Sequence, residues 1–202
     1  MKVNWAERLI VNNSFRVLVQ RHLIRWYKQK TLLSPGAKIL EVGCGRGAGA
    51  ALLLKEYAPT LVHALDLDPK MICQARSYLA SHLGAIFPYV GDVSRLPYPD
   101  ASLDAVFAFG VLHHVPDWRQ ALGEIARVLK PGGRYFLEEF YPTFYQIFPM
   151  RQIFKHPEED RFHRADLDQA LETCGFTVAD TVEIPKVWVL GVAVKTENGS
   201  QD

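Results

Sequence analysis

A glycine-rich turn set between an apolar run and a helical segment constrains this chain most. Lys38 to Val42 (KILEV) reads as a buried strand, Gly43 to Gly49 as the turn, and Ala48 to Tyr57 as a helix. A strand feeding a helix through such a turn opens a βαβ unit, whose parallel strands need a helical crossover. The rest keeps that rhythm. Leu61 to Leu65, Ile86 to Val90, Leu103 to Phe109 and Arg134 to Glu138 are the next candidate strands. Helical patterns start at Pro69, running to about Leu83, and span Asp117 to Leu129, where Lys130-Pro131-Gly132-Gly133 ends the second. The ending differs. A short helix over Asp166 to Cys174 precedes Phe176–Ile184 and Val187–Lys195, separated only by Pro185-Lys186. Those two runs predict a hairpin, which places one antiparallel strand in an otherwise parallel, seven-stranded α/β sheet.

Ahead of this body, Phe15 to Trp26 has apolar residues mostly at helical spacing, with Asn13 or Ser14 as N-cap and Ser34-Pro35-Gly36 as stop. Residues 1–30 carry seven basic residues against Glu7, so a net +6 precedes a remainder of −5. The organisation expected is a basic amphipathic segment (1–34) covering the cleft, a main domain (35–196) and a frayed tail (197–202). Such a helix packs on the domain, and its charge also suits peripheral contact between residues 1–30 and a membrane surface. The 49% hydrophobic content excludes global disorder, and no run of ~18 apolar residues writes a membrane span. A charged start and three scattered cysteines (Cys44, Cys73, Cys174) point to the cytoplasm. Nothing in the pattern writes an oligomeric state.

Chemistry concentrates at the strand ends. Glycines there let a ligand approach the backbone, and the following helix N-terminus favours an anion. Gly45, Gly47 and Ala50 also fit the dinucleotide pattern of nicotinamide enzymes. Asp66 ends the second strand 23 residues after Gly43, near the roughly 20-residue offset of a ribose-binding acid. Asp68, immediately before Pro69, suits a helix cap better than Asp66 does. Asp92 follows the third strand. Taken singly, each acid has a turn or cap role available. Acids at successive carboxyl ends of a parallel sheet face one crevice.

At this point ILEVGCGRG, LDLDP, GDVSRLPYPDASLDAVFAFGVLHHV and RVLKPGGRYFLEEF together resemble the motifs of the class I S-adenosylmethionine-dependent methyltransferases. The resemblance is strong over residues 35–140. It leans toward small bacterial members similar to the ubiquinone and menaquinone-biosynthesis methyltransferases, although Leu-His-His-Val departs from their usual Leu-Arg-Asn-Val. It implies a Rossmann-like sheet in the order 3-2-1-4-5-7-6 with strand seven antiparallel. It further implies S-adenosylmethionine as cofactor and methyl transfer by in-line displacement. Gly43, Gly45 and Gly47 would then wrap the methionine part, with Cys44 lining the loop and Glu41 orienting it or reaching the ammonium. Asp66 would hold the ribose hydroxyls, Leu67 the adenine face, and Asp92 with the Val93 amide the adenine edge. Phe109 and Gly110 would sit near the sulfonium.

A base is needed only where the acceptor starts protonated. His113 and His114 follow the fourth strand, and His114, which matches the family's commoner histidine position, is favoured for a catalytic or packing role. His156 and His163 match no metal-ligand spacing, so no metal is expected. Tyr141 to Arg164, rich in aromatics, is the candidate acceptor-side lid (141–164). With the N-terminal helix it would form an apolar roof, suiting a small apolar or aromatic acceptor. The body's negative charge argues against nucleic acid. Two alternatives stand beside this reading. A nicotinamide oxidoreductase lacks a Tyr-x-x-x-Lys pair and a second domain here; a non-catalytic S-adenosylmethionine-binding module remains open.

Overall fold

The computed structural model describes residues 13–146 and 161–196. Among them a seven-stranded sheet runs in the order β3-β2-β1-β4-β5-β7-β6. Its strands are β1 (Lys38–Val42), β2 (Leu61–Asp66), β3 (Ile86–Val90), β4 (Leu103–Phe109), β5 (Leu129–Phe140), β6 (Phe176–Ile184) and β7 (Trp188–Lys195). β1 pairs in parallel with β2 and β4, β2 with β3, and β4 with β5, whereas β7 is antiparallel to both β5 and β6. The Rossmann-like order implied by the resemblance is therefore the one observed. Strand order reverses between β1 and β4, which opens a crevice at the carboxyl ends of these two strands.

Helices cover both faces, because a parallel sheet buries two apolar surfaces. On one face lie α1 (Ser14–Lys30), α2 (Ala48–Tyr57) and α3 (Pro69–Tyr78). Their Ile24, Tyr27, Leu53 and Ile72 pack with Ile39, Phe107 and Phe136 from the sheet. On the other face α4 (Trp118–Val128) and α6 (Arg164–Thr173) bury Leu122, Ile125, Leu167 and Leu171 against Leu40, Val106 and Tyr135. The short α5 (Pro142–Gln146) follows β5.

Local signals explain most boundaries. The Asn13 side chain accepts the Arg16 N–H at 2.7 Å and caps α1, while Asp68 accepts from Lys70 at 3.0 Å and caps α3 ahead of Pro69. Two boundaries differ from the sequence reading by four residues or more. α3 ends at Tyr78, and Ala80–His82 forms a separate 3-10 turn, because no residue from Ala80 to Gly84 is buried to hold a longer helix. β5 begins at Leu129 rather than Arg134, since Leu129 already pairs with Leu103 before an irregularity in register.

The described part of the N-terminal segment lies along the sheet face rather than over the strand ends alone. The buried Tyr27 hydroxyl donates to the Leu137 carbonyl at 2.7 Å, fixing α1 over β5. Of the 141–164 stretch, residues 147–160 lie outside the described residues, including Phe148, Phe154 and His156. Tyr141 and Phe162 are core residues, Phe162 packing on Trp118 at a ring-centroid distance of 4.6 Å. His163 forms a capping box with Asp166 at the start of α6.

Candidate functional site

The glycine loop is held by its own backbone and by β2. Cys44 N–H donates to the Leu65 carbonyl at 2.9 Å, and Gly47 N–H to the Cys44 carbonyl at 2.8 Å. Gly45 N–H donates to Asp66 Oδ2 at 2.9 Å, so the loop and the first acid form one unit. Gly43 has φ +67°, and a Cβ there would come 2.6 Å from Val111 Cγ2. Only glycine suits both the left-handed backbone and that close approach of the loop after β4. Cys44 is buried, which pushes its thiol well above its usual range. It lines the loop as a small apolar group.

Glu41 sits beneath this loop. It faces the α2 side of the sheet, 1% exposed, and its carboxyl accepts the Ala50 N–H. A Cβ on Gly49 would lie 1.9 Å from Glu41 Oε1, so the carboxyl occupies the space a side chain would fill. Its Oε2 is buried with no hydrogen-bond partner among the described residues. Burial pushes the Glu41 carboxyl up to about 8 against the opposing Ala50 amide. An orphaned buried acceptor below a glycine cradle suits a cationic ligand group such as an ammonium.

Asp66 accepts the Gly45 N–H through Oδ2 and the Asp68 N–H through Oδ1 at 2.8 Å. A carboxylate offers about four acceptor positions, so this arrangement is compatible with gripping hydroxyls as well. Leu67 beside it is 39% exposed. Gly91 N–H donates to the Asp66 carbonyl at 3.1 Å, which brings the end of β3 alongside. Asp92 is exposed and turns the chain by accepting the Ser94 N–H at 2.9 Å, while Val93 is buried.

The ends of β4 and β5 contain groups that sequence reasoning missed. Phe109 is buried, and Gly110, at φ +71°, donates to the Glu138 carbonyl at 2.7 Å. Glu139 is fully buried on the α4 side. It accepts the Val111 and Leu112 amides at 3.1 and 2.8 Å and meets His113 Nδ1 at 2.6 Å. His113 and His114 lie with ring centroids 4.2 Å apart. The bond to the buried carboxyl falls on His113, whereas His114 was the histidine favoured from the sequence. Glu138 faces the opposite side. It takes Arg16 Nη1 at 3.0 Å, pairs with Arg16 Nη2, and receives Trp188 Nε1 at 3.2 Å. Arg16 also reaches the Phe109 carbonyl at 3.4 Å. The doubled acid in Phe-Leu-Glu-Glu-Phe was the available signal, since two carboxyls ending a buried strand need partners on both faces.

A Rossmann-like sheet whose glycine loop is bonded to the acid ending β2 defines the class: a protein built to receive a nucleoside-bearing cofactor at its switch point. Comparison with known proteins narrows it. Residues 40–137 match a family described as a methyltransferase domain. A Mycolicibacterium smegmatis protein named "Probable S-adenosylmethionine-dependent methyltransferase" is 35% identical over 154 residues, 74% of this chain and 55% of that protein. The demethylmenaquinone methyltransferase of Deinococcus radiodurans is 37% identical over 151 residues, 73% and 62% respectively. Among solved structures, a SAM dependent methyltransferase from Aquifex aeolicus superposes with a TM-score of 0.77 at 21% identity, covering 96% of this chain and 100% of that one. The chain is thus similar, over residues 40–137, to a methyltransferase domain, and the relatives it resembles include S-adenosylmethionine-dependent methyltransferases. It spans about half the length of the curated relatives it matches.

Proposed function

We propose that the protein transfers a methyl group from S-adenosylmethionine to a small apolar or aromatic acceptor. The observation that carries this reading is the bond from Gly45 N–H to Asp66 Oδ2, which ties the glycine cradle to the acid at the next strand end. In this reading the loop of Gly43, Gly45 and Gly47, with Cys44, wraps the amino-acid end of the cofactor, and the orphaned Glu41 Oε2 faces its ammonium. Asp66 accepts the ribose hydroxyls and the exposed Leu67 covers the adenine. Asp92 and the Val93 amide read the adenine edge, and Phe109 and Gly110 border the reacting end. When bound, the cofactor supplies a methyl carbon activated by a cationic sulfur. The chain's own part is alignment and exclusion of water, and positioning of this kind contributes roughly 7–11 kcal/mol to such reactions.

An acceptor that starts protonated needs a base, and His113 is the imidazole we assign to it in preference to His114. Glu139 beside Nδ1 holds the proton on that nitrogen and leaves Nε2 as the basic one, the tautomer a general base requires. The apolar character of the acceptor rests on Phe140 and Phe144, which stack beside the end of β4 with centroids 5.0 Å apart. Phe140 also meets His113 edge-on at 5.8 Å. The name of the demethylmenaquinone relative is in keeping with a ring acceptor. Transfer of labelled methyl to a panel of phenols, quinols and fatty acids tests the reading. Turnover that falls ~10²–10⁴-fold in His113→Gln for an ionisable acceptor supports it. Turnover restricted to polar acceptors, or unchanged in that variant, contradicts the acceptor class or the base respectively.

A further inference from the structure

The α1–α3 layer is strongly basic, whereas α4 and α6 on the other face are together close to neutral. In α1, α2 and α3 the basic residues include Arg21, Arg25, Lys28, Lys30, Lys55 and Arg76, and Glu56 is the only acid. On the other face α6 alone holds Asp166, Asp168 and Glu172 against Arg164. Some of the basic charge is answered locally: Arg25 and Lys28 approach Glu56 at 3.7 and 3.8 Å, and Lys30 meets Asp180 at 3.0 Å. One acid for two cations still leaves the layer positive.

The same layer exposes large apolar side chains. Phe15 is 71% exposed and Leu18 50%, both on the outer stripe of α1 that continues through His22 and Arg25. Leu32, just past the helix, is 75% exposed, and Tyr78 on α3 is 47% exposed. Between the three helices lies a trough of 330 Å³ with Val17, Ala51, Leu52 and Tyr78 in its wall and Lys55 and His82 as its basic groups. Other exposed apolar residues, Phe87 and Val90 on β3 and Val182 and Ile184 on β6, lack a comparable set of cations, and β6 carries Asp180 and Glu183 instead.

We infer that the α1–α3 layer docks the protein peripherally on an anionic lipid surface. Positive side chains meet the headgroups while Phe15, Leu18 and Leu32 enter the apolar boundary, and the trough accommodates part of an acyl chain. Bases draw the layer to any polyanion, but insertion of exposed aliphatic and aromatic groups is a lipid-specific gain. No described helix is long and apolar enough to cross a membrane, so the contact is one of the surface.

Co-sedimentation of the full chain with phosphatidylcholine vesicles, with and without phosphatidylglycerol, tests this. The expected result is binding that needs the anionic lipid and weakens at least tenfold between 50 and 500 mM salt. Binding is lost both in Phe15→Asp/Leu18→Asp and in Lys55→Glu/Arg76→Glu. The second pair changes only charge on exposed positions and serves if the first does not fold. S-adenosylmethionine binding stays unchanged in either variant, which separates this test from that of the cofactor site. Equal binding to neutral vesicles, no binding, or preferential capture of duplex RNA over the vesicles would overturn the inference.

Discussion

Replacing Glu41 by Gln is expected to stabilise the ligand-free protein as pH rises toward neutrality. Burial places the folded-state carboxyl at about 8, against 4.5 for an ordinary glutamate. Below pH 4.5 the group is protonated in both states and costs nothing by titration. Between these values the unfolded chain gives up its proton while the folded protein keeps it, so folding stability falls with rising pH. Each pH unit in that window costs ~1.4 kcal/mol, so roughly 2 kcal/mol is lost between pH 5.5 and pH 7. The amide introduced by Glu41→Gln fills the same space without titrating. Urea denaturation followed by tryptophan fluorescence, at several pH values for both proteins, isolates the effect. His63, whose pKa burial lowers, titrates in both proteins and cancels in the difference. The stability difference between variant and wild type should grow by about 2 kcal/mol across that window. Parallel pH profiles for the two proteins would falsify the assignment of Glu41 as a buried, protonated carboxyl.

Three further outcomes follow from the site's geometry. Gly43→Ala forces a left-handed alanine against Val111 Cγ2 and should lower stability by about 1–3 kcal/mol in the same assay; adding Val111→Ala recovers the steric part only. Glu139→Ala strips the Val111 and Leu112 amides and His113 of their carboxyl, at roughly 1–3 kcal/mol per buried group left unsatisfied. Glu139→Gln should cost less, and equal losses would show that the hydrogen bonds are not what the loop depends on. Arg16→Met leaves Glu138 buried beside Trp188 and should cost about 3–5 kcal/mol. Amide exchange in the first turns of α1 should rise with it, and unchanged protection there would contradict an anchoring role.

The parts of this fold that were legible in the sequence share a physical cause. β1 to β4 are short apolar runs between strong turn residues, so their limits follow from local pattern. The hairpin of β6 and β7 was visible because Pro185-Lys186 leaves no room for a crossover. Asp68 announced itself as a cap by preceding Pro69, and the Gly43–Gly49 loop by its position after a strand. What stayed hidden depends on distant pairing. Arg16 and Glu138 lie 122 residues apart, and nothing local marks the arginine that will meet the end of β5. Glu139 and the loop of Val111 to His113 meet only because β5 lies beside β4. Which of two adjacent histidines gains a carboxyl partner is likewise set by that neighbour. The burial of Glu41 under Gly49 is a matter of which sheet face α2 covers, which a strand of five residues does not announce.

Calorimetric titration with S-adenosylmethionine and S-adenosylhomocysteine, beside NADH and with Asp66→Ala as the variant, tests the central claim most directly. The account predicts that both sulfur ligands bind the wild type, that the folded variant loses them, and that NADH does not compete. A folded wild type that binds neither sulfur ligand, or that prefers NADH, would contradict it.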